Sequence, residues 1–252
     1  MKFFSVVLSL FVFLNPLQEV RRRPIPVAGG GASWTHNQTI IGRAAAVTNV
    51  SISGAVVTIT FDNTTNKPGS SFGTGHAAII HVLDFNGTSI SNTTPPSGGC
   101  GTWNVPTANR ASSGPAGGIS TATCQSTTPT TSVAITMTAT PTDVTVWVEE
   151  ATCSGTIGTV VVPTGIATST QANPPGVAMT VSGNNFVTQF VAFGGSQPSA
   201  ISGSYTLKLT DSNGGSLPTV GMAYGLNLTS VPAPTWTGND YSVANGVAFP
   251  CS

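Results

Sequence analysis

Apolar and polar side chains alternate with a period of two along most of the chain, and no window sustains the 3.6-residue apolar repeat of a helix. In residues 55–62, Ala55, Val57, Ile59 and Phe61 share one face, while Val56, Thr58, Thr60 and Asp62 share the other. Residues 77–85 (AAIIHVLDF) are apolar almost without a break, the pattern of a central strand. Residues 132–139 set Val133, Ile135 and Met137 against Thr136 and Thr138, and residues 143–149 place Val144, Val146 and Val148 on one face. The short link holding Pro141 predicts that these two segments form a hairpin. Further strands are predicted at 159–162, 177–181, 186–193, 204–210, 220–228 and 241–249. Asp211-Ser212-Asn213-Gly214-Gly215 supplies turn chemistry between two of them, since Asn and Gly accept positive φ at little cost.

Ten or more short strands separated by turn residues define an all-β expectation. The arrangement expected is an antiparallel β-sandwich, jelly-roll or immunoglobulin-like, made of two stacked layers with a neutral outer skin. Residues 92–129 interrupt the alternation with a long stretch of Gly, Ser, Thr and Pro, which reads as a loop.

The N-terminus divides from the rest. Lys2 precedes an apolar run from Phe3 to Leu14, about half the ~20 residues needed to cross a bilayer. A basic start with a short apolar segment is the pattern of a signal peptide. Arg21-Arg22-Arg23 follows closely, and no small-x-small cleavage site stands after Leu14. The domain plan expected is a signal peptide or N-terminal arm over 1–23, a linker over 24–32 (PIPVAGGGA, with Pro24, Pro26 and three consecutive Gly) and a β-sandwich domain over 33–252. No other apolar run approaches membrane length, so no stable membrane span is expected.

Charge changes the functional picture. Charged residues are 6% of the 252, against about 25% in ordinary globular proteins. Past the N-terminal stretch the cations are Arg43, Lys67, Arg110 and Lys208, well separated, which leaves no basic patch for nucleic acid. Four basic residues face seven acidic ones there, a net charge of −3. Neutral hydroxyl and amide side chains keep such a surface wet and oppose self-association only weakly.

Cys100, Cys124, Cys153 and Cys251 are even in number and contain no C-x-x-C spacing, which excludes a zinc ribbon or a thioredoxin-type motif. In an exported chain they read as disulfides. Three complete pairings exist. The favoured one is Cys100–Cys124, stapling the long loop, with Cys153–Cys251.

Candidate chemistry is sparse. His76, His81 and Asp84 lie within nine residues, but the odd spacing of the two histidines sends them to opposite faces of a strand, so no metal site is expected. Glu149-Glu150 is the one adjacent acidic pair. Neighbours on a strand face apart, so the pair alone does not make a glycosidase site, and it reads as charge that discourages edge pairing. No G-x-S-x-G elbow is present. Asp211-x-Asn213-x-Gly215 opens like a calcium loop, but Met222 stands where the closing acid belongs. Six N-x-S/T sequons occur, at Asn37, Asn49, Asn63, Asn86, Asn92 and Asn227. Of the four tryptophans, Trp103 in the long loop and Trp147 opposite the Val144/Val146/Val148 face are the ligand-facing candidates for stacking on sugar rings.

Ser33-Trp34-Thr35-His36 leads into an alternating strand, and Ala233-Pro234-Thr235-Trp236 leads to a closing strand at Val247-Ala248-Phe249. On these residues the chain resembles the Thr/Gly-rich β-sandwich modules of large exported bacterial proteins and of phage structural proteins. The resemblance implies a sandwich fold and an extracellular or cell-surface setting, and it brings no catalytic motif. The expectation is therefore a non-enzymatic structural or adhesive surface protein without a cofactor, partnered by itself or by other surface proteins. A carbohydrate-binding module and a β-scaffold hydrolase are the alternatives.

Overall fold

In the computed structural model the described residues are 31–43, 49–61, 69–107, 111–112, 117–165, 167–194, 198–213, 216–238 and 241–252. The signal-peptide or arm reading of 1–23, and the linker up to residue 30, lie outside them. Among the described residues there is no α-helix, and the chain is all-β. The strands are β1 (Trp34–Arg43), β2 (Val50–Ser53), β3 (Val56–Thr60), β4 (Ala77–Asp84), β5 (Ala111–Ser112), β6 (Gly118–Cys124), β7 (Ser132–Thr136) and β8 (Val144–Cys153). They continue with β9 (Ala167–Ser169), β10 (Asn184–Phe193), β11 (Ala200–Ile201), β12 (Thr206–Asn213), β13 (Ser216–Leu228), β14 (Trp236–Thr237) and β15 (Ser242–Cys251).

All their pairings are antiparallel. The N-terminal five-stranded sheet runs β1-β8-β4-β6-β5, and the C-terminal one runs β12-β13-β10-β15-β9. A three-stranded sheet, β2-β3-β7, and a small β11-β14 pair complete the ladders.

Side-chain alternation assigns the faces. Ile80 and Val82 of β4, with Val144, Val146 and Val148 of β8, pack against Val57, Ile59, Val133 and Ile135 of the three-stranded sheet. Leu83 and Trp147, on the opposite face, meet Phe190, Met222 and Val243 of the C-terminal sheet. The far face of that second sheet carries Val191, Phe193 and Ala244 onto Trp236. The expected pair of layers is therefore incomplete: both large sheets are covered on both faces. That is why β4 and β10 are buried almost throughout, and why β4 reads as a nearly continuous apolar run.

Three further expectations are corrected. β7 and β8 are not a hairpin, because β7 pairs with β3 while β8 pairs with β1 and β4. The link through Pro141 carries the chain from one sheet to another. Residues 92–129 are not one loop: β6 lies inside them, fully buried and paired along β4 from Ala78↔Cys124 to Asp84↔Gly118. The chain enters β6 where only glycine fits, since a Cβ on Gly117 (φ +70°) would stand 2.6 Å from the Asp84 carbonyl oxygen and one on Gly118 2.5 Å from that of Thr88. The strands expected at 159–162 and 177–181 are single bridges, Val161↔Ala248 and Met179↔Val231. β12 and β13 are antiparallel neighbours paired up to Asn213↔Ser216, while Gly214 and Gly215 of the expected turn lie outside the described residues.

Candidate functional site

Glu149 and Glu150 sit inside the N-terminal sheet, since β8 is paired on both sides. They do not guard an edge. As strand neighbours they face opposite ways, and both are almost fully buried. A buried carboxylate has to be met by donors.

Glu149 is supplied by β1. The β1–β8 register jumps from His36↔Ala151 to Gln38↔Glu150, leaving Asn37 as an extra residue in a bulge. The bulge resets the alternation, so His36 and Thr39 reach the same carboxylate. His36 Nε2 lies 2.6 Å from Glu149 Oε2, and Thr39 Oγ1 donates to Oε1 at 2.8 Å. The His36 ring lies flat on Tyr224, with centroids 4.1 Å apart, and Lys208 Nζ stands 5.3 Å from the centre of that tyrosine ring. Burial pushes the Glu149 carboxyl above its ordinary range, while the bonds from His36 and Thr39 and the charge of Lys208 pull the other way.

Glu150 is supplied from the opposite face. Its Oε1 accepts from the Gly73 amide at 2.7 Å and lies 2.7 Å from His76 Nδ1, while Oε2 accepts from Gln38 Nε2 at 2.5 Å. Gln38 also exchanges two bonds with the Ser70 backbone, which ties the loop to β1. Gly73 is required because a Cβ there would fall 2.0 Å from the His76 ring.

Around these groups opens a polar cleft of about 620 Å³, whose lining includes His36, Asn37, Gln38, His76, Glu150 and Thr152. The bulged Asn37 holds its wall: Thr152 Oγ1 donates to Asn37 Oδ1 at 2.9 Å. A second cleft, about 580 Å³, is lined by hydroxyl and amide side chains such as Thr102, Asn104, Gln125 and Ser126, with Cys100 at its side. The buried Thr127 stands between the segments that line the two clefts. Its hydroxyl donates to the Gly73 carbonyl at 2.6 Å, and its amide donates to the His76 carbonyl at 2.9 Å.

A hydroxyl–imidazole–acid relay needs the ring to bridge the two groups with different nitrogens. Thr39 Oγ1 and Glu149 Oε2 both sit on Nε2 of His36, at 3.2 and 2.6 Å. Glycoside hydrolysis takes two carboxyl groups facing one bond, and among the described residues that line the first cleft Glu150 is the one carboxylate. Among the described residues no three His, Cys, Asp or Glu side chains converge as metal ligands.

The tryptophans proposed to face a ligand do not face solvent. Trp147 is fully buried between the two large sheets, edge-on to Phe190 at 5.2 Å. The face opposite its valines is an inter-sheet face, not a surface. Trp103 is buried in the core over the three-stranded sheet, and its Nε1 donates to the Gly98 carbonyl at 2.9 Å. Trp34 and Trp236 are buried too.

The other residues singled out in the sequence fall apart spatially. His81 lies between the large sheets, with Nδ1 2.9 Å from Thr121 Oγ1, Nε2 2.9 Å from Thr188 Oγ1, and its ring stacked on Phe190. Full burial pushes its pKa down to about 3, so it is neutral. Asp84 Oδ2 instead accepts from the Thr88 amide. The disulfides are Cys100–Cys124, holding the 100–104 segment to β6, and Cys153–Cys251, linking β8 to β15 and hence the two large sheets. The sequons also separate. Asn49 is buried and bonded to the Ile41 carbonyl, Asn227 caps the backbone of Trp34 through both amide atoms, and Asn86 and Asn92 are exposed. Asn63 lies outside the described residues.

Comparison with protein families, with curated proteins and with solved structures found no match for the chain. No helix among the described residues is long and apolar enough to cross a membrane. Two disulfides fit an oxidising, extracellular type of environment.

Proposed function

We propose that this protein is a non-enzymatic extracellular structural or adhesive surface protein, built on an antiparallel β-sandwich that has gained outer layers. The observation that carries the reading is the state of its acids. Glu149 and Glu150 are locked into interior hydrogen bonds, while the clefts beside them offer hydroxyl and amide groups. Both carboxylates are used to hold strands and loops together. Disulfides that tie sheet to sheet suit a protein that works outside the reducing interior of a cell. The low charge lets copies lie side by side with little repulsion.

Expression of the full chain in an export-competent host tests this. The expected result is recovery outside the cytoplasm with both disulfides formed, and no turnover of glycoside, ester or peptide substrates. Retention in the cytoplasm, or a turnover that disappears in Glu150→Gln, overturns the proposal.

A further inference from the structure

The two clefts are lined by separate sets of residues, and Thr127 stands between the segments that line them. Ser126 and Thr128 line one, Gly73 and His76 line the other, and Thr127 pins the segments together. Each volume lies within the roughly 300–1,000 Å³ of ordinary ligand sites. Among the described residues no Lys or Arg lines either cleft, so those residues offer an anionic ligand no counter-charge. The single lining carboxylate, Glu150, already accepts from Gly73 and Gln38 and holds His76, so a cation gains little from it. What remains are hydroxyls, amides and imidazoles, which both donate and accept.

We infer that each of the two clefts is a binding site for a neutral, hydroxyl-rich glycan chain, an inference that rests on the adhesive role proposed above. Sugar hydroxyls donate and accept in the same way as the Ser, Thr, Asn and Gln side chains that line the walls. Glu150 lies 2.7 Å from Nδ1 of His76 and so orients a ring that lines the first cleft. The Cys100–Cys124 disulfide and the Thr127 bonds hold the wall before any ligand arrives, which lowers the ordering cost of binding. No tryptophan lines either cleft, so recognition runs through hydrogen bonds rather than ring stacking.

The test is calorimetry and affinity electrophoresis of the full, disulfide-bonded chain against neutral polysaccharides (β-glucan, xylan, galactomannan, starch) and acidic ones (polygalacturonate, hyaluronan). The exposed Ser71 and Ser126 supply one probe in each cleft. Expected is binding to at least one neutral polymer and to no acidic one. Ser71→Leu and Ser126→Leu should each weaken that binding about tenfold or more, with the thermal midpoint unchanged. Should either leucine variant fold poorly, Ser71→Ala and Ser126→Ala should weaken binding in the same direction. Failure of every neutral polymer, preference for an acidic one, or unchanged binding in all variants overturns the inference. A protein that is exported yet binds no glycan would sink this inference alone, whereas cytoplasmic retention would sink the surface role.

Discussion

His36 Nε2 stands 2.6 Å from Glu149 Oε2, and that contact exists because a one-residue bulge at Asn37 turns His36 toward a carboxylate 113 positions away. The glutamate side chain is wholly enclosed, so the imidazole is its main charge-capable donor. Removing the ring leaves a buried acceptor short of a partner, a loss that runs to about 2–3 kcal/mol for a group of this kind. His36→Ala should therefore lower unfolding free energy by about that amount in urea melts. Glu149→Gln, which keeps a hydrogen-bonding oxygen and removes the buried charge, should cost less. Equal losses in the two variants would show that the pair contributes no more than its separate packing.

His81 sets an acid limit of its own. In the native state its ring is neutral because burial holds its pKa near 3, whereas in the unfolded chain it titrates near the ordinary value of about 6.5. Below that value the unfolded state binds the proton and the folded state does not. The stability is therefore complete above pH ~6.5 and falls as pH drops toward 3. Between pH 7 and 5.5 the loss should be about 1 kcal/mol. Glu149 works in the opposite sense. Its raised folded pKa favours proton uptake on folding as pH falls, which offsets part of the His81 loss. Urea midpoints at the two pH values measure the His81 slope, and His81→Phe should flatten it while lowering stability at pH 7 by stranding the Thr121 and Thr188 hydroxyls.

The elements legible in the sequence are those whose burial shows as hydrophobicity. Residues 77–85 stood out because β4 is covered on both faces, and the segments around Phe186–Phe193 and Tyr241–Phe249 for the same reason. β6 (GISTATC) is just as buried but is small and polar. Thr121 accepts from Asn245 and meets His81 inside the inter-sheet layer, a satisfaction that depends on strands far away in the chain. The opposite orientation of Glu149 and Glu150 follows from strand parity alone. Their histidine partners do not, since one requires the Asn37 bulge and the other a loop folding back over β1. Trp147 shows the same limit from the other side: parity placed it opposite the valines, but only the second sheet says that this face is interior.

The two disulfides should contribute unequally. Cys153–Cys251 spans 98 positions and Cys100–Cys124 spans 24. On the chain-entropy account, restriction of the unfolded state is then about 4.7 and about 3.5 kcal/mol. The longer link also fastens one large sheet to the other. Replacing both Cys153 and Cys251 with Ser should therefore lower the thermal midpoint more than replacing Cys100 and Cys124. A reversed order in calorimetry would mean that local anchoring of the 100–104 segment outweighs loop closure.

All four tryptophans are enclosed, with Trp147 and Trp236 fully so. A fold with surface-stacking tryptophans would show red-shifted, readily quenched emission, and enclosed indoles give the reverse. Native emission should be blue-shifted and resistant to iodide, and both properties should vanish together on unfolding. Trp147→Ala should cost about 3–5 kcal/mol, because it opens a cavity against Phe190 between the two large sheets. Trp103→Ala should fall in the same range, adding the loss of the Nε1 bond that holds Gly98 in place. Glycan binding measured on whatever fraction of these variants remains folded should equal that of the parent chain, since neither indole lines a cleft. A folded Trp103 or Trp147 variant that lost binding selectively would reverse the assignment and move recognition back to the aromatic side chains.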